Sequence, residues 1–408
     1  MLTWSKRFHF RVWARSSMWL IPLGFIFLSI VLSILMPWLD RRITVEPPFT
    51  YSASSAQATL SAIASGMLVF TGFVFSILTF AIQFGASTFT PRLIRTISTD
   101  NTTKIALGVF VATFIYALLL LAEIAPGENE YVPQFSVLFS VVSVGVSLLL
   151  FLALIATVTG SIRPGSVIAL VARDGKREIV RAFPEPARAP AGSAIREYVP
   201  DTPSRLVAHP EHSGGVLQAA HSEGVVDLAE ALGVTAVLVP AVGDYVPTGA
   251  PVFRIYGGDE LAKLDKFLDW VAFGDERTFR QDPSYSLRIL VDIAIRALSP
   301  AVNDPTTAVE TLGRIEDLLL MLGTRQLPDG VYKNADGEVR FIYRTPTWDD
   351  FLTLAFTEIR TYGADSPLLV AKLRNTFSGL RELVPDWRRK ALDQQSALLE
   401  EAVAKATK

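Results

Sequence analysis

Residues 58 to 85, ATLSAIASGMLVFTGFVFSILTFAIQFG, contain no charged side chain. As a helix rising about 1.5 Å per residue, such a run crosses a hydrocarbon core of roughly 30 Å. Lipid offers no hydrogen-bond partner, so the segment must satisfy its backbone internally, and a helix does so. Within it Ser61, Ser65, Gly72, Ser76, Thr79 and Gln83 recur at intervals of three, four or seven, which gathers them into one helical stripe. The stripe must turn toward protein or toward water. Two readings stay open. In the first it packs against a neighbouring helix: hydroxyls bond their own i−4 carbonyls, and Ala62 with Gly66, or Ala156 with Gly160, give small-xxx-small spacing. In the second it lines a watery or ion-conducting path. Gln83 suits packing least, because its amide brings two donors and two acceptor lone pairs.

Four apolar segments predict membrane spans near 17–38, 58–86, 105–125 and 135–159. Trp19 and Trp38 bracket the first at a helical separation of roughly 30 Å, placing indoles at both interfaces. Pro22 falls in its first turn, where a missing amide proton costs little. The run is too long for a secretory h-region and lacks a convincing small-residue cleavage site, so it reads as a retained anchor. Lys6, Arg7, Arg11 and Arg15 precede the first span, Arg92, Arg95 and Lys104 lie between the second and third, and Arg163, Arg173, Lys176 and Arg177 follow the fourth. Arg41 and Arg42 oppose this distribution and are outnumbered. The positive-inside rule therefore places both termini of this multi-pass chain in the cytoplasm. Acidic and basic residues are missing from the middle of all four spans, which argues against a carboxylate relay; Glu123 reads as interfacial.

A length of 408 residues leaves room for a soluble domain beside the membrane domain. Net charge of −2 and a sequence pI of about 6.2 give no sign of nucleic-acid binding. With no cysteine, disulfides, thiolate nucleophiles and Cys-ligated metals are excluded. The expected architecture is an α-helical transmembrane domain over 1–160, a juxtamembrane connection over 161–203, a small β module over 204–258 and a helical domain over 259–408. Together these make four membrane helices plus an α+β cytoplasmic domain. Short Val-rich runs broken by Gly and Pro predict the β elements. Helices are predicted near 259–272, 284–298, 305–322, 347–362, 366–382 and 386–405, with a hairpin around 328–344.

Within the β module, Gly243-Asp244-Tyr245-Val246 followed by Gly249 resembles the GD-x-V-x-x-G turn of biotinyl, lipoyl and barrel-sandwich folds. No lysine lies between Lys176 and Lys263 to carry a prosthetic group, so no cofactor is implied. His209, His212, His221 and Glu223 offer imidazole and carboxylate, but no HExxH or other closed ligand set accompanies them, so no metal site is expected and the two histidines of the Pro-containing loop, His209 and His212, read as exposed. In ALSPAVNDPTTAVETLGRIEDLLLML, 297–322, Asn303 or Asp304 caps a helix whose first turn holds Pro305 and Thr306. The corner reads as structural. Its alternative is an anion or ligand site at the capped N-terminus, with Arg288 and Arg296 near in sequence.

The strings FGASTFTPRLIRTISTDNTTKIALGVFVATFIYALLLL, SGGVLQ with VGDYVPTGAPV, and FGDERTFRQDPSYSLRILVDIAIRALSPAVNDPTTA, in that order, resemble the bacterial membrane proteins of domain-of-unknown-function family 2254. The resemblance implies an inner-membrane location and this architecture, and brings no activity. Ala301 and Val302 stand where such relatives commonly carry Gly and Ile. A P-loop, a zinc-protease helix and a nucleophile elbow are all missing, so no enzyme is expected. The expectation is a channel-like or transport-related homo-oligomer in the lipid bilayer, taking an ion or small molecule and regulated by its soluble domain. The alternative is a non-conducting membrane-anchored scaffold or sensor.

Overall fold

The computed structural model describes residues 3–42, 50–88, 101–124, 131–161, 163–188, 204–208, 214–258 and 264–407. Two compact units emerge: Val12–Arg163, and Met1–Arg11 together with Pro164–Lys408. The basic prefix before the first span, for which the sequence suggests no element, is helix α1 (Trp4–Ser16).

Among the described residues of the first unit, α2 (Leu20–Asp40), α3 (Ala53–Thr88), α4 (Asn101–Glu123) and α5 (Gln134–Ser161) are the helices long and apolar enough to cross a membrane. They correspond to the four predicted spans. Helix α3 begins earlier than its apolar run because the Ser52 hydroxyl accepts from Ser55 N at 3.2 Å, capping a polar first turn. Helix α4 packs against the other three. Ala56, Leu60 and Ala64 of α3 meet Tyr116, Ala117 and Leu120 of α4, and further along Met67, Val74 and Leu78 meet Ala106, Phe110 and Leu154. A Cβ on Gly108 would lie 2.7 Å from the Phe25 ring and 3.2 Å from Pro22 Cα, so glycine is what lets α2 approach α4.

The second unit opens with α6 (Pro164–Ala182), a helix inside the segment read from sequence as a connection. Its Val167, Ile168, Val171 and Ile179 are buried at helical spacing, a period masked by the charged residues between them. Strands β1 (Ser204–Ala208), β2 (Gly215–Ala220), β3 (Thr235–Leu238), β4 (Tyr245–Val246) and β5 (Pro251–Tyr256) follow, with helix α7 (Ser222–Ala231) between β2 and β3. A 3-10 turn, Leu264–Trp270, buries Leu264 and Phe267 and leads into β6 (Val271–Gly274), where the sequence predicts one helix over 259–272, of which 259–263 lie outside the described residues. The α-helical reading fails there because β2 pairs with β6, and that partner is some fifty residues earlier in the chain.

Helices α8 (Pro283–Ala297) and α9 (Pro305–Gly323), the hairpin β7 (Val331–Lys333) with β8 (Val339–Tyr343), and helices α10 (Trp348–Gly363), α11 (Pro367–Leu383) and α12 (Asp386–Ala406) complete the chain. The larger sheet has the order β1-β5-β3-β8-β7, with β3 and β8 parallel; the smaller is β4-β2-β6. Residues 204–258 therefore complete their sheets with strands from 271–274 and 331–343, and share one compact unit with the helices.

On α6, a Cβ at Gly175 would lie 2.7 Å from Ser286 Cβ of α8 and 3.1 Å from a Leu318 methyl of α9. Alanine there gains about 1 kcal/mol in helix propensity, but the Ser286 Cβ sits on rigid backbone and overpacking costs about 1–3 kcal/mol. Gly175→Ala is therefore expected to lower the melting temperature of the detergent-solubilised protein, whereas Gly313→Ala, which meets open space, is expected to raise it slightly.

Candidate functional site

Ser61, Ser65, Gly72, Ser76, Thr79 and Gln83 are all exposed on the surface of their own unit. The opposite face of α3 packs chiefly against α4 and α5, while Leu68, Val69, Phe73, Phe75 and Phe80 are exposed beside the stripe. Among the described residues, then, the stripe packs against no helix of its own chain. Ser76 Oγ donates to Gly72 O at 3.0 Å and Thr79 Oγ1 to Phe75 O at 2.9 Å, so two hydroxyls are satisfied along the helix itself. The Gln83 amide bonds to no described residue. A Cβ on Gly66 or Gly72 would meet open space, and Ala62 is exposed as well, so the Ala62 and Gly66 pair also faces outward.

The buried polar line of this unit lies elsewhere, on residues that the sequence reading passed over. Ser29 and Ser33 of α2, Thr113 of α4 and Ser136, Ser140 and Ser147 of α5 are buried. Thr113 and Ser147 hydroxyls are 3.3 Å apart, and each also donates to an i−4 carbonyl. Serine at i and i+4 or i+7 along α5 was the available signal. At the end of the bundle, Asp40 accepts from Phe135 N, Ser136 N and Ser136 Oγ, closing the N-terminus of α5 with a carboxylate from α2. Arg41, on the minority side of the charge count, pairs with Glu123 at 3.4 Å and lies over the Tyr131 ring. Gln134 accepts from Tyr51 N at 2.6 Å and donates to Tyr51 O at 2.9 Å, fastening the start of α3 to that of α5.

In the second unit, motifs far apart in sequence converge. Arg277 reaches Asp282 through Nε to Oδ2 at 2.8 Å and Nη2 to Oδ1 at 2.9 Å, and Asp282, only 4% exposed, also accepts from Tyr285 N as cap of α8. Gln281 adopts φ of +58°, a strained position for a residue other than glycine. Two bonds hold it: its N–H donates to Glu178 of α6 at 2.7 Å, and its side-chain oxygen accepts from Ala220 N at 3.0 Å. Gly243 of the GD turn, at φ +99°, backs onto this pair, since a Cβ there would lie 2.9 Å from both Arg277 Nε and Asp282 Oδ2. Gln218 donates to Glu276 O at 2.7 Å. Burial pushes the Asp282 carboxyl up to about 6, against the pull of Arg277. The cluster thus locks the turn before α8 to the smaller sheet and to α6, and Thr278 Oγ1 is buried beside it in sequence without a partner.

At the 297–305 corner, Asn303 takes φ of +48° and Asp304 caps α9, accepting from Thr307 N at 3.0 Å and from the Thr307 hydroxyl. These bonds hold the Asp304 carboxyl below its ordinary range. Asp304 N donates to Ala297 O at 2.8 Å, tying the corner to the end of α8. Pro305 is the first residue of α9, and Thr306 beside it is exposed. Arg288 is engaged by Asp292 and Glu358. His221 caps α7 through Nδ1, which accepts from Gly224 N at 2.9 Å, and its ring stacks on Trp270. His209 and His212 lie outside the described residues, as do Arg92 and Arg95. Among the described residues no group of three or more His, Asp or Glu is arranged to hold a metal.

Residues 15–378 match the family of predicted membrane proteins designated DUF2254. The chain belongs to this family. Uncharacterized proteins of Mycobacterium bovis and Mycobacterium tuberculosis are each 30% identical to it over 364 residues, covering 86% of this chain and 68% of theirs. No solved structure matches it.

The two aspartate caps should respond to pH with opposite sign. Asp282 titrates above its unfolded value, so its contribution to stability is complete below about pH 4 and falls as pH rises to about 6. The stability difference between wild type and Asp282→Asn should shrink across that window and stay level above it. Asp304 titrates low, so its contribution is present at neutral pH and lost in acid. Asp304→Ala should cost about 1 kcal/mol at pH 7 and less as pH falls through its depressed value, while Pro305→Ala does little. Thermal melts of the purified protein as a function of pH check both.

Proposed function

We propose that the protein is a channel-like or transport-related homo-oligomer in which the α3 stripes of several copies face a shared polar path, with the Pro164–Lys408 part regulating it. The observation behind this is one-sided burial: α3 packs one face within the protomer and leaves Ser61, Ser65, Gly72, Ser76, Thr79 and Gln83 on the exposed face, flanked there by Leu68, Val69, Phe73 and Phe80. Leaving an unbonded amide such as Gln83 in hydrocarbon costs on the order of 1–3 kcal/mol, and a second copy or water removes that cost. The reading is non-enzymatic and needs no cofactor; its partners are the bilayer, further copies of the chain, and an ion or small molecule. The distribution of Lys and Arg supports a multi-pass bacterial inner-membrane protein with both termini cytoplasmic. The self-bonded hydroxyls of Ser76 and Thr79 favour a second reading, a non-conducting scaffold or sensor whose stripe is a dry contact between copies.

The cysteine-free chain suits a labelling test. Single cysteines at Ser76, Thr79 and Gln83 in the protein reconstituted in lipid should react with a small water-soluble thiol reagent, and cysteines at the buried Val74 and Leu78 should not, because reaction requires thiolate and thiolate requires water. Disulfide crosslinking between copies at the stripe positions without labelling would replace the conducting reading with the scaffold. Neither labelling nor crosslinking would remove both.

A further inference from the structure

Helix α1 has two unlike faces. Trp4 lies 5.2 Å from the His221 ring, and Phe8, 7% exposed, lies beneath the Arg280 guanidinium at 5.4 Å. Lys6, Phe10 and Trp13, at i, i+4 and i+7, share the other face, with Arg7 beside them. Phe10 is 63% exposed and Trp13 53%, and Lys6, Arg7 and Arg11 form no ion pair with any described residue. Large aromatics and cations together on an exposed helix face match the requirements of a bilayer interface: rings enter the headgroup boundary while cations stay at phosphate level. The chain continues directly into the bilayer, since α2 starts at Leu20, four residues after α1 ends at Ser16, with Trp19 68% exposed between them.

We propose that the Lys6, Arg7, Phe10 and Trp13 face of α1 binds the surface of the membrane the chain spans, with Lys6 and Arg7 recognising anionic phospholipid headgroups. A cation near an anionic surface is drawn to it by the surface potential, so two of them distinguish an anionic from a zwitterionic bilayer. Trp4 and Phe8 on the same helix contact the His221 ring and the Arg280 guanidinium. The inference is independent of whether α3 lines a path.

The test uses the full chain in vesicles of phosphatidylcholine alone or mixed with phosphatidylglycerol. A single cysteine at Phe10 or Trp13 carries a polarity-sensitive fluorophore, and a label at Asp386, whose side chain is 84% exposed, is the aqueous control. In anionic vesicles the labels at 10 and 13 should be shielded from acrylamide and quenched by headgroup-region nitroxide lipid, unlike the label at 386. Lys6→Glu with Arg7→Glu should abolish both effects without changing the control. Acrylamide access equal to that at 386 in both vesicles would overturn the proposal, as would shielding without nitroxide quenching, which would mean a protein cover. Equal nitroxide quenching in both vesicle types would overturn the recognition of anionic headgroups.

Discussion

A spanning backbone must bond to itself, and this requirement shapes the membrane unit before any side chain is considered. Helices satisfy it one at a time, which leaves their association to packing. In a four-helix unit centred on α4, each outer helix has one covered side. For α3 the covered side is the one where Leu60, Met67, Val74 and Leu78 interdigitate with Phe110, Tyr116 and Leu120, and the uncovered side carries the stripe among Leu68, Val69, Phe73, Phe75 and Phe80. The polar stripe is outward as a consequence. A soluble protein would leave such a face in water; a membrane protein has water there only if it, or another copy, makes room.

Side-chain bonds at helix ends do the joining that apolar contacts between helices leave undone in lipid. Asp40 on the α5 amides, Gln134 on the Tyr51 backbone and Arg41 on Glu123 all fix which helix ends meet. The second unit uses the same device in a different solvent. Asp282 and Asp304 cap α8 and α9 from turns whose preceding residues, Gln281 and Asn303, both sit at positive φ. Strain at Gln281 is stable because Glu178 and Ala220 hold it from α6 and β2, residues 103 and 61 positions earlier in the chain, respectively.

The spans were legible because hydropathy over about twenty residues is a property of the segment alone. Caps were legible for the same reason: Asn-Asp-Pro before an apolar helical period specifies its own turn, and Asp304 caps as that order predicts. Helix α6 escaped notice because its buried residues are interrupted by Arg173, Asp174, Lys176 and Arg177, and helix α7 because it is ten residues long among strands. Strand β6 was read as helix because Leu264 and Phe267 at a spacing of three imitate a helical face.

By itself, then, the sequence determined that the chain has four helices long and apolar enough to cross a membrane, roughly where they lie, which polar residues form a stripe and where the helices from α8 onward begin. Each of these follows from local bonding or from the transfer of one segment out of water. Only the tertiary structure decided which way the stripe faces, that Gln218, Gly243, Arg277 and Asp282 meet, and that β3 pairs in parallel with β8. Those outcomes depend on contacts between residues far apart in the chain, where closure entropy is set against packing and no local pattern records the winner.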